Sequence, residues 1–337
     1  MTTSPRAATP MVYARQMVER LVQQGLETEA ILEEAQIRPD QLENVQARIT
    51  AAQMELLSMR CMQALDDEAL GWFERPLPWG SYGMLARASL TAPTLAIALK
   101  RWARHHGLLT HAVHLNVDAG NSRRSAQITL DTPGVPVAST EFCVVTLLRN
   151  MLGFASWVVD SRIAVQHLSL AFARPAHAEA YAVLFPCPVE FDAPRNCMDI
   201  DPGYLQLSPC RSEAEARTML QRALPLTVHH YRRDRLLVEQ VRLLLTQQPQ
   251  AMRDARTVAH TLAMSERSLH RQLAAEGARW QSLKNEARLQ VAEHLLRTSD
   301  KPLKSIAQAA GFDNDKSFIR AFKQWTGTTP EIRRRSK

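Results

Sequence analysis

Apolar positions along this chain fall into two unlike patterns. In the first 200 residues they recur at three- and four-residue spacing over 12–22, 29–36, 51–65, 94–106, 138–157 and 176–184, which predicts six helices. Between these, 111–117, 125–131, 165–171 and 189–192 alternate apolar and polar positions as strands do, with Gly120-Asn121 as a turn between the first two. Helices interleaved with antiparallel strands predict an α+β domain over 1–201. Residues 1–9 are expected to be disordered. Residues 70–90 break the pattern with two Trp, a Phe, a Tyr, two Pro and three Gly. Pro76 and Pro78 suggest an extended piece there, and Gly80 and Gly83 suggest tight turns. A less regular connector follows at 202–231, holding one short helix over 213–223. A second, all-helical half, described next, then spans 232–337.

The second pattern is all helical, and it occurs twice. Val258, Ala259 and Leu262 precede Ser265, which is followed by Leu269, Arg271 and Leu273. Ile306, Ala307 and Ala310 precede Asn314, which is followed by Phe318, Arg320 and Phe322. Val258 to Ile306 is 48 residues, whereas Leu269 to Phe318 is 49, so the two copies differ by one residue in the turn. Asp313 or Asn314 is placed to cap the later helix, Gly311 and Gly327 to end helices, and Pro330 to open the last one. Helix, tight turn, helix with a basic outer face is a helix-turn-helix plan. Trp280, Leu283, Ala287, Val291 and Leu295 form one stripe of a long helix between the copies. Such a helix would hold two recognition helices for successive major-groove segments about 34 Å apart.

Charge sharpens the division. Residues 232–337 carry 21 Lys and Arg against 11 Asp and Glu, net +10, while the rest of the chain is net −3. A basic lobe on a mildly acidic one fits a nucleic-acid module carried by a second domain, or otherwise a solvated basic helical surface. At 337 residues the chain is long enough for two domains. Five cysteines with no CxxC spacing and no signal peptide read as reduced thiols in a cytoplasmic protein, with redox sensing by Cys187, Cys197 and Cys210 as the lesser alternative. The most apolar run, 142–159, is interrupted by Arg149 and Asn150 and suits a buried helix, not a membrane span. No P-loop, GxGxxG, GxSxG or HExxH is present, so neither an enzyme nor a cofactor is expected. His111 and His114 face opposite sides of a strand, and His105 and His106 have no ligand set beside them, so no metal is expected.

The segment 234–335 resembles the AraC/XylS-type DNA-binding domain. The resemblance rests on VAHTLAMSERSLHRQLAAEG, on the connecting helix with Arg288, and on SIAQAAGFDNDKSFIRAFKQWTGTTP. Where that family usually has Tyr-Arg after the final Pro, this chain has Ile332-Arg333. The Gly-Trp/Phe region, PTLAIALKRWARHHGLL and FPCPVEFDAPRN are similar to the arabinose-binding-like effector domain that includes ornithine-utilisation regulators. The resemblance implies a cytoplasmic transcription regulator, more in keeping with an activator than a repressor. Its implied partners are double-stranded DNA, RNA polymerase, a small-molecule effector and a second copy of the chain. An N-terminal domain that only dimerises is the alternative.

Candidate contacts follow from both readings. Leu269 and Leu273 point inward, which leaves Arg267, Ser268, His270 and Arg271 on the outer face of the first recognition helix. Arg267 and Arg271 are read as base-edge contacts through guanine O6 and N7, with phosphate contact as the alternative. Asp315, Lys316 and Arg320 take the matching places in the second helix, where Asp315 is expected to help cap it. Lys304, Lys323 and Arg333 are phosphate candidates. In the N-terminal domain, Trp72, Arg75, Trp79, Tyr82, Arg101, Trp102 and Arg104 are candidates to line an effector pocket. The alternative places those aromatics in the core and those arginines at the surface.

Overall fold

The computed structural model describes residues 9–44, 46–121, 124–228, 234–247 and 254–335. The expectations for 1–8 and 229–233 lie outside the described residues. The chain forms two units, Met1–Asp234 and Arg235–Lys337.

In the first unit, β1 (Thr9–Pro10) pairs antiparallel with β2 (Arg48–Ile49), bracketing α1 (Met11–Gln23) and α2 (Glu29–Glu34). Thr50 then starts α3 (Ala51–Leu65) with a capping box: its hydroxyl accepts from Gln53 N at 3.3 Å, and the Gln53 side chain accepts from Thr50 N at 3.0 Å. Next comes α4 (Ser81–Leu90), where the sequence suggested turns. The local cause is Gly80, which precedes the helix at φ +103°, a conformation that glycine alone adopts easily. Thr94 caps α5 (Leu95–Leu109).

A five-stranded sheet follows from β3 (His114–Asp118) and β4 (Ala126–Asp131) onward. The chain then runs through α6 (Val137–Val158), β5 (Val165–Ser169), α7 (Tyr181–Leu184), β6 (Val189–Glu190) and β7 (Asn196–Ile200). The strand order is β3-β4-β7-β5-β6. The central strand β7 was absent from the sequence reading. Asn196, Cys197, Met198 and Ile200 are all buried, which erases the period-2 signal that marks a one-sided strand. A second correction concerns direction: β5 and β6 are parallel, because the chain between them crosses through α7 before returning. The unit closes with α8 (Glu213–Leu220) and α9 (Leu224–Val228). Residues 202–228, read in the sequence as connector, therefore pack as part of this unit. Leu207 O accepts from Leu95 N at 2.7 Å, and Gly153 of α6 lies so close to α9 that a Cβ there would meet Leu226 O at 2.1 Å.

By length and composition α6 would suit a membrane, yet it is the core helix of this unit. Aromatic rings radiate from it. Phe142 stacks on Tyr13 at 4.6 Å and meets Trp72 edge-on at 5.0 Å, while Phe154 lies 4.6 Å from Trp102. Glu141 Oε1 collects three donors: Tyr13 OH at 3.1 Å, Tyr181 OH at 2.7 Å and His177 Nε2 at 2.7 Å.

The second unit consists of α10 (Leu236–Gln247), α11 (Ala255–Thr261), α12 (Glu266–Ala275), α13 (Trp280–Thr298), α14 (Leu303–Ala309), α15 (Asp315–Thr326) and α16 (Pro330–Arg335). It has two small cores that share α13. Trp280, Leu283 and Ala287 join the core of α10–α12, and Ala292 and Leu296 join that of α14 and α15. The expected single stripe is thus corrected. Val291 and Leu295 are only half-buried, because the two lobes grip different faces of one helix.

Burial raises the Glu141 carboxyl's pKa, but the bonds from His177 and Tyr181 outweigh it and leave the value below the ordinary 4.5. A depressed carboxylate contributes stability that is present at neutral pH and fades as pH falls below 4.5 through the folded value. Glu141→Ala is expected to lower the stability of the full chain by about 3 kcal/mol at pH 7, since three buried donors lose their acceptor. Urea unfolding at pH 7 and pH 3 checks this, with a smaller difference expected at the acid end.

Candidate nucleic-acid interface and ligand cavity

In the second unit each helix-turn-helix is set by its turn. Helix α11 is followed by its C-cap Leu262 and α14 by its C-cap Ala310, a separation of 48 residues. Ser265 caps α12 and Asn314 caps α15, a separation of 49. The extra residue therefore lies inside the second turn. Ser265 Oγ accepts from Ser268 N at 3.1 Å, and Asn314 Oδ1 accepts from Ser317 N at 2.8 Å. Both turns pass through the left-handed region, at Ala263 (φ +53°) and at Gly311 (φ +77°). Arg288 of α13 ties down the second turn. It donates to Gly311 O, and its guanidinium lies 4.4 Å from the Phe312 ring.

These caps and turns leave two exposed basic faces. Arg267, His270 and Arg271 lie together on α12, opposite buried Leu269 and Leu273. Ser268 is half-buried, and its hydroxyl accepts from Ser265 Oγ at 2.9 Å, so it serves the cap. His270 sits 3.8 Å from Glu266. On α15, Lys316, Arg320 and Lys323 share one exposed face opposite Phe318 and Phe322. Arg267, Arg271, Lys316, Arg320 and Lys323 form no ion pair among the described residues. Asp315 is the first residue of α15 and accepts only from Lys316 N, so the capping expected of it falls to Asn314. Lys304 is exposed in the first turn of α14. Arg333 is held by Glu293 of α13 at 2.9 Å, which fastens α16.

In the first unit, a cavity of about 290 Å³ opens among α3, the 68–80 loop, α4, α5, α6 and the α8–α9 corner. Three consecutive carboxylates hold its loop. Asp66 Oδ1 accepts from Trp79 N, buried Asp67 accepts from Ala69, Gly71 and Leu77 N at 2.8–2.9 Å, and Glu68 accepts from Gly80 N at 2.7 Å and Tyr82 N at 2.6 Å. Trp72, Trp79, Tyr82 and Trp102 line the cavity. Trp72 and Trp102 are buried, whereas Trp79 is 52% exposed. The Tyr82 hydroxyl is buried without a hydrogen-bond partner among the described residues.

Arg75, Arg101 and Arg104 do not line it. Trp102 and His106 are four residues apart and share the inward face of α5, which turns Arg101 and Arg104 away. Arg101 donates to Thr91 Oγ1 instead. The arginines at the cavity are Arg87, paired with Glu213 at 2.9 Å, and Arg222, paired with Glu55 at 2.7 Å. Burial pushes the His106 pKa down to about 4, so its ring is neutral at pH 7. Sequence reasoning missed Glu68, His106, Leu147, Asn150 and 220–224, which reach the cavity from distant parts of the chain. The DDE trio before an aromatic loop was the available signal for Glu68.

All five cysteines are free. Burial pushes the Cys61 thiol up to about 12 and those of Cys187 and Cys197 to about 11, so these are thiols at neutral pH. Among the described residues, no group of three or more His, Cys, Asp or Glu is placed to hold a metal ion.

Comparison with known proteins gives two family matches. Residues 25–209 match the arabinose-binding domain of AraC transcription regulators, and residues 258–336 match a helix-turn-helix domain. The chain is 25% identical over 322 residues to the ornithine utilization regulator of Pseudomonas aeruginosa, across 95% of this chain and 94% of that one. It is 35% identical over 98 residues to the HTH-type transcriptional regulator VqsM of the same species, 29% of this chain and 30% of that one. Among solved structures, the transcriptional regulator CdpR of P. aeruginosa is 19% identical, with 95% of this chain and 97% of that one covered and a TM-score of 0.33. The DNA-binding domain of AdpA, solved in complex with a target DNA, is 25% identical over 30% of this chain and 90% of that one, with a TM-score of 0.26.

Ala263 in the left-handed region carries a cost of about 1–2 kcal/mol that glycine does not, partly offset by glycine's larger entropy in the unfolded chain. Ala263→Gly is therefore expected to raise the stability of the second unit by about 0.5–1 kcal/mol. Thermal unfolding checks the gain, and DNA affinity is expected to stay unchanged.

Proposed function

The chain belongs to the AraC family of transcription regulators, with an N-terminal ligand-binding-type domain and a C-terminal helix-turn-helix domain, and from that premise we propose that it is a cytoplasmic, effector-responsive activator. The DNA reading is carried by the paired basic faces of α12 and α15, whose arginines and lysines form no ion pair among the described residues and whose helices are capped at matching positions. Arg267 and Arg271 on α12, and Lys316 and Arg320 on α15, read base edges. Lys304 and Lys323 contact phosphate, His270 contacts phosphate or base, and Ser268 sets the helix end. Arg333 contacts phosphate while its pairing with Glu293 supports the docking of α16.

The sensing part of the reading rests on the cavity in the first unit. A buried tyrosine hydroxyl without a partner costs free energy that a bound molecule would recover. That observation favours a sensor over a domain that only dimerises. Effector binding shifts the population between arrangements of the two units, and the favoured one places the DNA-binding units of a homodimer on paired half-sites beside RNA polymerase. The effector domain is taken as 1–201 together with 202–228, which pack with it, and the DNA-binding domain as 232–337.

Selection from a random DNA duplex pool with the full-length protein tests the DNA reading. A site with two blocks one helical turn apart is expected. Arg271→Ala and Arg320→Ala are each expected to cost about 1–3 kcal/mol and to relax preference within one block only. Uniform weakening across all sequences would return these arginines to phosphate contact.

A thermal-shift screen of the full-length protein against a metabolite library tests the sensor. A hit is expected to lose its shift in Trp102→Ala, checked for folding by circular dichroism. No hit across a broad library would leave dimerisation as the role of the first unit.

A further inference from the structure

Two arginines and two glutamates line the cavity, and one of the glutamates is left without a cation. Four charged side chains line it, and three are already committed: Arg222 pairs with Glu55, and Arg87 with Glu213. Glu68 is the fourth. Each of its oxygens accepts one backbone N–H, and no cation meets it among the described residues. Buried Asp67 stands directly beside it in the chain and likewise binds only backbone N–H groups. His106 adds no positive charge, since burial keeps it neutral. The rings of Trp72, Phe73, Tyr82 and Trp102 complete the wall, and aromatic faces carry negative potential. Burial, with the neighbouring Asp67 charge, raises the Glu68 pKa, which is the response of a carboxylate lacking a counter-ion.

We propose that the cavity takes a protonated amine, its ammonium group held by Glu68 and the Tyr82 oxygen, with a short apolar body against the tryptophans. The inference rests on the sensor reading above and names the ligand class for that site. An ammonium group brings three donors. The Glu68 carboxylate has acceptor sites left after its two backbone bonds, and the Tyr82 oxygen has no partner. At about 290 Å³ the cavity lies at the low end of ligand pockets, roughly 300–1,000 Å³, which suits a compact molecule. An anion of the same size would face Glu68, and the two arginines at the cavity already carry carboxylate partners, Arg222 through two bonds to Glu55 and Arg87 through Nε to Glu213.

The test uses the full-length protein and three probes that share one skeleton and differ in charge: phenethylamine, 2-phenylethanol and phenylacetate. Binding is read at pH 7 by isothermal titration and by saturation-transfer NMR. The amine is expected to bind at least about tenfold more tightly than the alcohol, and the acid more weakly than either. Glu68→Gln is expected to abolish the preference for the amine over the alcohol. Tyr82→Phe, which keeps the ring, is expected to weaken the amine several-fold and serves if Glu68→Gln does not fold. Equal binding of amine and alcohol, preference for the acid, survival of the preference in both variants, or no saturable amine binding would each overturn the assignment. A neutral or anionic hit in the metabolite screen, competing at this cavity, would sink the amine while keeping the sensor. No hit of any kind would remove the sensor and the amine together.

Discussion

The first unit depends on the need of buried backbone amides for partners. Between α3 and α4 the chain runs through fifteen residues without regular structure. Its amides cannot be left bare in a wall of tryptophans. Asp66, Asp67 and Glu68 supply the missing acceptors, taking N–H groups from six residues between Ala69 and Tyr82. The same fold of the loop puts Trp72 against Phe142, and it puts the Tyr82 ring 5.1 Å from Trp102. Position of the aromatics, shape of the cavity and the placing of Glu68 on its wall thus have one origin. The carboxylate that organises this end of the loop bonds only backbone amides among the described residues.

In the second unit the corresponding constraint is α13. Nineteen residues give a rod about 28 Å long, and each lobe is too small to hold a core alone. Each lobe takes its own face of the rod, so neither recognition helix moves without disturbing packing on α13. Arg288 extends this hold to the second turn by meeting both Gly311 O and the Phe312 ring. Glu276, at the end of α12, accepts from Leu237 and Val238 N and closes the first lobe on α10.

Local chemistry was legible in the sequence, and distant convergence was not. Ser265, Asn314, Thr50 and Thr94 announce their helices because a cap is written in three or four adjacent residues. The one-residue difference between the two helix-turn-helix copies was countable, and it falls in the turn. By contrast, β7 is buried on both faces and loses its alternation, and α4 hides behind a glycine that reads as a loop. Four tryptophan and tyrosine residues of the cavity stood out by type. Its arginines did not, because Arg75, Arg101 and Arg104 look the same in sequence as Arg87 and Arg222. What separates them is a partner more than 100 residues away, Glu213 in one case and Glu55 in the other.

The α8–α9 corner gives the cavity a consequence for pharmacology. Residues 220–224 form one wall, and from there the chain passes through α9, fitted against Gly153, before it reaches the second unit. Leu220 lies against Gly83, next to the Tyr82 whose amide is held by Glu68, so this wall and the carboxylate-held loop meet at one cavity. A molecule filling it would bear on the last stretch of the first unit before the chain enters the second, and the groups it turns toward 220–224 are the ones a synthetic series would vary.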